Sequence, residues 1–474
     1  MDGRFTNESD AVGQISRRMK NLGTPPLAIT SFLRNYSRLV NGWSGSVPGA
    51  SIEPLTDVNP LAALGRFSEE GRRALSHTAI IKLNGGLGTS MGLEGPKSLL
   101  PVKQGHTFLD IVIEQAQRIR RARRCDLPLI LMDSFNTHDE TVAALDGHTG
   151  LQDGQSNLPL TFVQHRVPKI RQDSLLPVEW PQDPSKEWCP PGHGDLYLAL
   201  VTTGLLDRMR AAGIRYLFVS NIDNLGATLD LSILGYMAAQ SIPFLMEVTE
   251  RTETDRKGGH LARTGGHLLL RELAQCPPEE EQDFQDIRKY RHFNTNNLWI
   301  DLDALAQKLA ENGGMLDLPL IVNRKTVDSN DASSPAVFQL ETAMGAALSV
   351  FDHAEALLVP RTRFAPVKTT ADLLALWSDA YVLSEDMHII PAPERNGIPP
   401  LIQLDPTFYG ALGNFRQRFQ LGAPSLVDCD SLTIEGDIRF GRNTVLRGRV
   451  QMTNPDQKQM TVPDGTVISG NNPR

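Results

Sequence analysis

The sequence predicts an α/β protein. A central doubly wound domain covers residues 77–385, a mostly helical segment precedes it over 1–76, and a C-terminal domain over 386–474 ends in a short left-handed β-helix. Three observations carry this reading. From about residue 77, short apolar runs alternate with helical patterns, as in a mainly parallel sheet covered on both faces. Before that point, apolar residues keep helical spacing in Ala11 to Leu22 and in Ser31 to Val40. Near the end, in LTIEGDIRFGRNTVLRGRV, Ile434, Phe440 and Leu446 recur every six residues, each followed within two places by Gly436, Gly441 or Gly448. A six-residue apolar period with turn glycines points to the stacked coils of a β-helix, with an ordinary β-meander as the alternative.

The elements follow in order. Gly42 to Pro60 is rich in Gly, Ser and Pro and reads as an extended connector. Strands are expected at Ala79–Leu83, Leu127–Met132, Leu160–Gln164, Tyr216–Ser220, Phe244–Thr249, Asn297–Ile300 and Ala356–Val359. Thr107, in Thr-Phe-Leu-Asp, offers a variant capping box at the start of one intervening helix. Thr369 or Thr370 caps another, which runs through Leu373, Leu374, Leu376 and Trp377.

Composition narrows the function classes. The 474 residues suggest about three domains. With 40% hydrophobic and 22% charged residues the chain can bury a large core. A net charge of −8 argues against a nucleic-acid binder held by phosphate contacts. Cys125, Cys189, Cys276 and Cys429 are far apart, without CxxC spacing, so neither a disulfide framework nor a zinc ribbon is expected. No apolar run reaches the ~20 residues of a membrane span. The start, MDGRFTNESD, has no signal-peptide pattern. The expectation is a cytoplasmic protein.

The densest motif is KLNGGLGTSMGLEGPKSLLPV, from Lys82 to Val102, after the apolar run Thr78 to Ile81. A strand emptying into glycines brings bare backbone N–H groups close to an anion. It is not a Walker A loop, because Pro96 stands where glycine should precede Lys97-Ser98. Nor is it the dinucleotide fingerprint, whose third glycine would fall on Met91. Gly85, Gly86 and Gly88 let backbone lie against a base and phosphates. Pro96 stiffens the approach to Lys97, which offers a point charge to phosphate oxygens.

This loop resembles the nucleotidyltransferase loop of the eukaryotic-type UTP–glucose-1-phosphate uridylyltransferases (UDP-glucose pyrophosphorylases). Further blocks carry the likeness in the same order: LMDSFNT, PPGHGDLY, FVSNIDNLGAT, EVTERTETDRKGG, FNTNNLWI, IVNRKT, QLETAMGAA and VPRTRFAPVKTTADLL. It runs from about residue 80 to about 450. Ser90-Met91-Gly92 is unlike the Arg-Leu-Gly of the related UDP-N-acetylhexosamine enzymes and sides with the glucose-1-phosphate branch. The resemblance implies a Rossmann-like, glycosyltransferase-A-like nucleotidyltransferase domain. The implied reaction joins UTP and glucose 1-phosphate into UDP-glucose and pyrophosphate, with Mg²⁺. The sugar phosphate attacks the α-phosphorus in line, so catalysis should rest on positioning and cations, without a protein nucleophile.

Asp223 follows the run Tyr216–Ser220, at the strand end where open α/β sheets bind ligands. A carboxylate there suits Mg²⁺; capping of the next turn is the alternative. The resemblance makes Asp223 the metal aspartate and Lys97 and Lys368 the catalytic cations. Lys97 meets the β- and γ-phosphates, and Lys368 the α-phosphate and the attacking phosphate. Outside the motif either would read as a surface lysine. The resemblance also puts Gly192 by the nucleotide and His193 on the sugar phosphate, where an isolated histidine would otherwise read as structural. Backbone of Leu83, Asn84, Gly85 and Gly86, with the Gln164 side chain, should read uracil, since an amide answers its carbonyls and N–H. Met132 packs on the ring. Asn221, Gly259, Asn296, Asn297 and Glu341 match positions around the hexose, with turn roles open for Asn296 and Asn297.

Other features read more plainly. RIRRARR, Arg118 to Arg124, is a solvated helix face near a helix C-terminus, and PPEEEQD, Pro277 to Asp283, an exposed acidic loop. Asp328 to Pro335 and His388 to Pro400 are unlike the family. The chain stops soon after VISG, where animal relatives carry a longer end used in octamer contacts, so a monomer or dimer is expected. Two competing readings stand: the same chemistry on another sugar 1-phosphate, and a silent sugar-nucleotide sensor. The second requires loss of a lysine or the aspartate, and Lys97, Asp223 and Lys368 are all present.

Overall fold

Three strands at the middle of the chain's main sheet are buried along almost their whole length: Thr78–Asn84, Leu129–Asp133 and Tyr216–Asn221. Burial on both faces is what a sheet covered on two sides requires. The computed structural model describes residues 3–43, 45–93, 95–151, 157–329, 331–456 and 458–470. Its central sheet has the strand order Asn59–Pro60, Glu355–Leu358, Phe244–Glu250, His292–Asp301, Tyr216–Asn221, Thr78–Asn84, Leu129–Asp133, Thr161–Val163. Along this path every pairing is parallel except the two made by His292–Asp301, which runs against both neighbours.

Alternate residues feed two cores. Ala79, Ile81, Ile130, Met132, Leu217 and Val219 pack under the helices Asp195–Thr202, Leu205–Ala211 and Leu302–Glu311. Ile80, Leu129, Leu131 and Phe218 pack on the other face, with helices Phe108–Arg123, Leu231–Gln240 and Thr370–Trp377. All seven expected strands are present, with shifted ends. The one expected at Asn297–Ile300 begins at His292, because the polar run HFNTN is buried by pairing with Phe244–Glu250.

The segment before residue 77 carries the helices Gly3–Asn21 and Pro26–Val40. Its Gly/Pro-rich stretch also lends two short strands, Glu53–Pro54 and Asn59–Pro60, to the central sheet. Thr107 closes the expected capping box with Asp110. Of the two candidate caps on the later helix, Thr369 is the cap, with Asp372 completing the box, while the Thr370 hydroxyl donates to Tyr409 O at 2.7 Å. Pro277 to Asp283 departs from the exposed loop expected. It forms the helical turns Pro278–Glu280 and Glu281–Phe284, and Glu280 pairs with the fully buried Arg271 at 2.6 Å.

At the C-terminal end, Leu401–Leu404, Cys429–Glu435, Val445–Thr453 and Val467–Ser469 pair side by side in parallel. Ile438–Phe440 pairs in parallel with Met460–Val462. Consecutive parallel pairing excludes the antiparallel meander. Ile434, Phe440 and Leu446 all point into the core.

Candidate active site

Because the flanking strands are parallel, the loops after Thr78–Asn84, Leu129–Asp133, Thr161–Val163, Tyr216–Asn221 and Glu355–Leu358 open on one edge of the sheet. That carboxyl edge is where open α/β sheets bind ligands.

The expected base-reading residues gather at one end of this edge. A Cβ on Gly85 would come 2.5 Å from Gln164 Nε2, so a larger residue would push the Gln164 amide from its place. The Asn84 side chain turns away from the loop. Its Nδ2 donates to Asp133 Oδ1 at 2.7 Å and to Thr141 Oγ1 at 2.9 Å, which leaves backbone for a base. Burial pushes the Asp133 carboxyl up to about 6. Gln164 is tied to the same strand end through its N–H to Asp133 O at 2.8 Å. Met132 is buried in the core beside Leu83, its register partner on the neighbouring strand, and is not open to a base. His165, next to Gln164, donates both its backbone N–H and its ring Nδ1–H to the buried Asp195, at 2.7 and 2.8 Å. That pair joins the base loop to the Gly192–His193 turn.

The phosphate-binding candidates lie in the middle. Lys97 N–H donates to Gly86 O at 3.1 Å and closes the glycine loop on itself. Lys97 Nζ then reaches Asp223 Oδ2 at 2.6 Å. Asp223 O accepts Val367 N–H at 3.4 Å, which sets Lys368 beside it. Lys368 Nζ lies 5.9 and 5.7 Å from the centroids of Phe293 and Phe364, within cation–π reach.

At the far end, Met344 N–H donates to His193 Nδ1 at 2.9 Å. The ring proton therefore sits on Nε2 of a neutral imidazole, and burial lowers the pKa to about 4. Gly192 has φ +82°, and a Cβ there would lie 2.5 Å from Thr342 O. Glu341 is behind Gly192, on a separate sheet of Leu320–Thr326, Ala336–Thr342 and Ile170–Arg171. Burial raises its carboxyl pKa. Asn221 ends its strand half-buried. Asn296 and Asn297 are strand residues at a register slip, not turn residues. Asn296 has φ +59° and bonds Asn294. Asn297 is fully buried, and its amide is taken up by protein. Nδ2 donates to Glu247 Oε2 at 3.0 Å and Arg363 O at 3.3 Å, and Oδ1 accepts from Asn224 at 3.2 Å. It therefore does not offer itself to a hexose.

Glu272 belongs to this end, and nothing in the sequence singles it out. A Cβ on Gly259 would meet its carboxylate at 2.7 Å. Burial raises its pKa, and Lys368 nearby opposes the rise. Lys82 and Glu247 are further additions to the residues expected from sequence, although each is the lone charge in an otherwise apolar strand run, TAIIK and FLMEV. Lys82 Nζ donates to Ser220 Oγ and Ala227 O, both at 2.7 Å, and burial brings its pKa down to about 7. Among the described residues no group of three His, Cys, Asp or Glu could hold a metal. A single partly exposed carboxylate, Asp223, fits a Mg²⁺ ion that takes its remaining ligands from phosphates and water.

Residues 29–447 match the family described as UTP–glucose-1-phosphate uridylyltransferase. The chain belongs to that family. The uridylyltransferase of Solanum tuberosum is 39% identical over 448 residues, covering 93% of this chain and 91% of its own. That of Saccharomyces cerevisiae is 43% identical over 396 residues, covering 83% and 77%. Among solved structures, a mutant UDP-glucose pyrophosphorylase of Leishmania major in complex with UDP-glucose superposes with a TM-score of 0.91 at 44% identity, covering 97% of this chain and 98% of that one. The Trypanosoma brucei protein gives 0.88 at 44% identity, covering 98% and 99%. The likeness to these uridylyltransferases spans the helical N-terminal segment and the parallel C-terminal ladders as well as the central sheet.

Proposed function

We propose that this chain joins UTP and glucose 1-phosphate into UDP-glucose, releasing pyrophosphate. The observation that carries the proposal is the pairing of Lys97 with Asp223 and of the Lys368 segment with the Asp223 backbone at one sheet edge, in a chain that matches the family along nearly its whole length. A phosphate oxygen of the sugar attacks the α-phosphorus of UTP; the bond from that phosphorus to the bridging oxygen breaks, and pyrophosphate leaves. No covalent enzyme intermediate is involved. The reactants are both anions, so the barrier is lowered by holding them together and by cations aimed at growing charge. Lys97 holds the β- and γ-phosphates. Lys368 holds the α-phosphate and the incoming phosphate. His193 donates Nε2–H to the sugar phosphate and needs no proton transfer, because that oxygen is ionised at neutral pH. Mg²⁺, held by Asp223, supplies charge neutralisation when bound.

Leu83 to Gly86 and Gln164 serve uracil, with Gly192 alongside the nucleotide; Met132, buried in the core, supports this strand end from below the base site and does not pack on the ring. Asn221, Gly259, Asn296, Glu272 and Glu341 shape the hexose end. The C-terminal domain, 386–474, is read as ending in a left-handed β-helix, and residues 77–385 as the catalytic domain. A cytoplasmic monomer or dimer that binds neither nucleic acid nor membrane completes the proposal; no described helix is long and apolar enough to cross a membrane. The test is pyrophosphate release from purified protein with Mg²⁺, UTP and a panel of sugar 1-phosphates. Release with glucose 1-phosphate and UTP alone is expected. Release with another sugar would keep the chemistry and move the specificity. No release with any sugar, from folded protein that binds UTP, would overturn the proposal.

A further inference from the structure

Glu247 is fully buried at the middle of its strand, and its four bonds leave no lone pair idle. Oε2 accepts from Arg363 Nε at 2.8 Å and Asn297 Nδ2 at 3.0 Å. Oε1 accepts from Arg363 Nη2 at 2.6 Å and Trp299 Nε1 at 2.9 Å. Arg363 also donates to Thr228 O at 2.8 Å. A buried pair of this kind holds only when its charged groups are well bonded, and here each carboxylate oxygen of Glu247 accepts two hydrogen bonds.

The network joins two pieces of chain that carry the chemistry. Asn224 follows Asp223, and Arg363 opens the segment that reaches Lys368. The Asn224 amide works like a strand partner to that segment. Nδ2 donates to Arg363 O at 3.1 Å, and Oδ1 accepts Ala365 N–H at 3.0 Å. The backbones continue the seam, with Asn224 bridged to Pro366 and Val367 N–H on Asp223 O. Asn297 seals it from the antiparallel strand by donating to both Glu247 and Arg363 O. Lys82 holds the other end of the Asp223 loop at Ala227 O.

We infer that Asn224, Asn297, Glu247 and Arg363 are a positioning unit that sets the place of Lys368 relative to Asp223 without touching substrate. The inference rests on the proposed uridylyl transfer. It assigns Asn297 to the frame of the site, not to the sugar. A buried, multiply bonded network is rigid, and misplacing a catalytic group by about an ångström costs roughly 100-fold in rate.

The test is a double-mutant cycle on the full chain, Asn224→Ala with Lys368→Ala, read as turnover and as UTP binding by calorimetry. Asn224→Ala should lower turnover roughly 10- to 100-fold with little change in UTP affinity. Added to Lys368→Ala it should slow the enzyme little further, because the group it positions is already gone. A merely structural role would move melting temperature and would multiply with Lys368→Ala. Full multiplication of the two losses, or unchanged turnover in Asn224→Ala, overturns the inference. If the alanine variant does not fold, Asn224→Ser carries the same cycle with the same criteria. Wild-type protein inactive with every sugar 1-phosphate would instead refute the underlying function.

Discussion

Lys97 Nζ lies 2.6 Å from Asp223 Oδ2, so the cation expected on the phosphates and the carboxylate expected on the metal are partners of one another. Both are largely shielded from solvent, with side chains 12% and 18% exposed, so their attraction is less screened than that of a surface ion pair. Mg²⁺ must share or displace Lys97 to reach Asp223. Lys97→Met should therefore bind Mg²⁺ more tightly than wild type in the absence of nucleotide, measured by calorimetry, while turning over more slowly. Asp223→Ala should lose activity by roughly 10²–10³-fold or more at any Mg²⁺ concentration. Retained activity would put the metal on another carboxylate.

Lys368 stands over two aromatic faces beside the Asp223 loop. In the proposed transfer, charge passes from the attacking oxygen through the α-phosphoryl group to the leaving pyrophosphate, so a cation at the α-phosphate contributes most in the transition state. Lys368→Ala is expected to reduce turnover about 10²–10³-fold and to change the KM for UTP far less. Steady-state kinetics with UTP varied decides this. Unchanged turnover would remove Lys368 from the mechanism.

Much of this arrangement is legible in the amino-acid sequence. The strands ending in Leu83-Asn84 and in Asn221 stand out as apolar runs, and their parallel pairing puts the glycine loop and Asp223 on one edge. The rest comes from tertiary contact. Asn297 reads as a polar residue free for a hydroxyl, yet Glu247, Arg363 and Asn224 consume its amide. Glu272 sits in LLLRELAQ with nothing local to mark it; only the close approach of Gly259 brings it into the site. Glu280 reads as a solvated charge and pairs with an arginine buried from a neighbouring hairpin. Periodicity reports which face a residue lies on. It carries nothing about which distant side chain will meet it there.

His165 and Asp195 supply a further prediction. Asp195 takes two hydrogen bonds from His165, and the His165 ring also meets Thr202 Oγ1 at 3.0 Å. This holds Gln164 where it faces Gly85. Asp195→Ala should loosen Gln164 in the ground and transition states alike. The KM for UTP should rise roughly tenfold, the equivalent of about one lost buried hydrogen bond, with turnover little changed. A fall in turnover at constant KM would show that Asp195 acts on the phosphates, not the base.

His260 is expected to make the protein sensitive to acid. It is fully buried, stacked on Tyr290 at 3.9 Å and against Phe284 at 4.7 Å, and neither ring nitrogen has a hydrogen-bond partner. Burial, then the nearby Arg251 and Arg271, with Lys289 adding slightly, lower its pKa from 6.5 to about 3. In the unfolded chain His260 takes up a proton near pH 6.5, which the folded state refuses until about pH 3. Between those values the unfolded state binds more protons, so stability rises with pH. The contribution is complete above about pH 6.5 and is lost as pH falls toward 3. At about pH 4.5 the loss is on the order of 2–3 kcal/mol. His260→Phe keeps the ring stack and removes the titration. Thermal melts from about pH 7 to pH 4.5 should therefore fall less steeply for His260→Phe than for wild type. Asp133, whose pKa is raised to about 6, acts in the opposite sense but equally in both proteins, so the difference isolates His260. Parallel melting curves would show that His260 does not set the acid response.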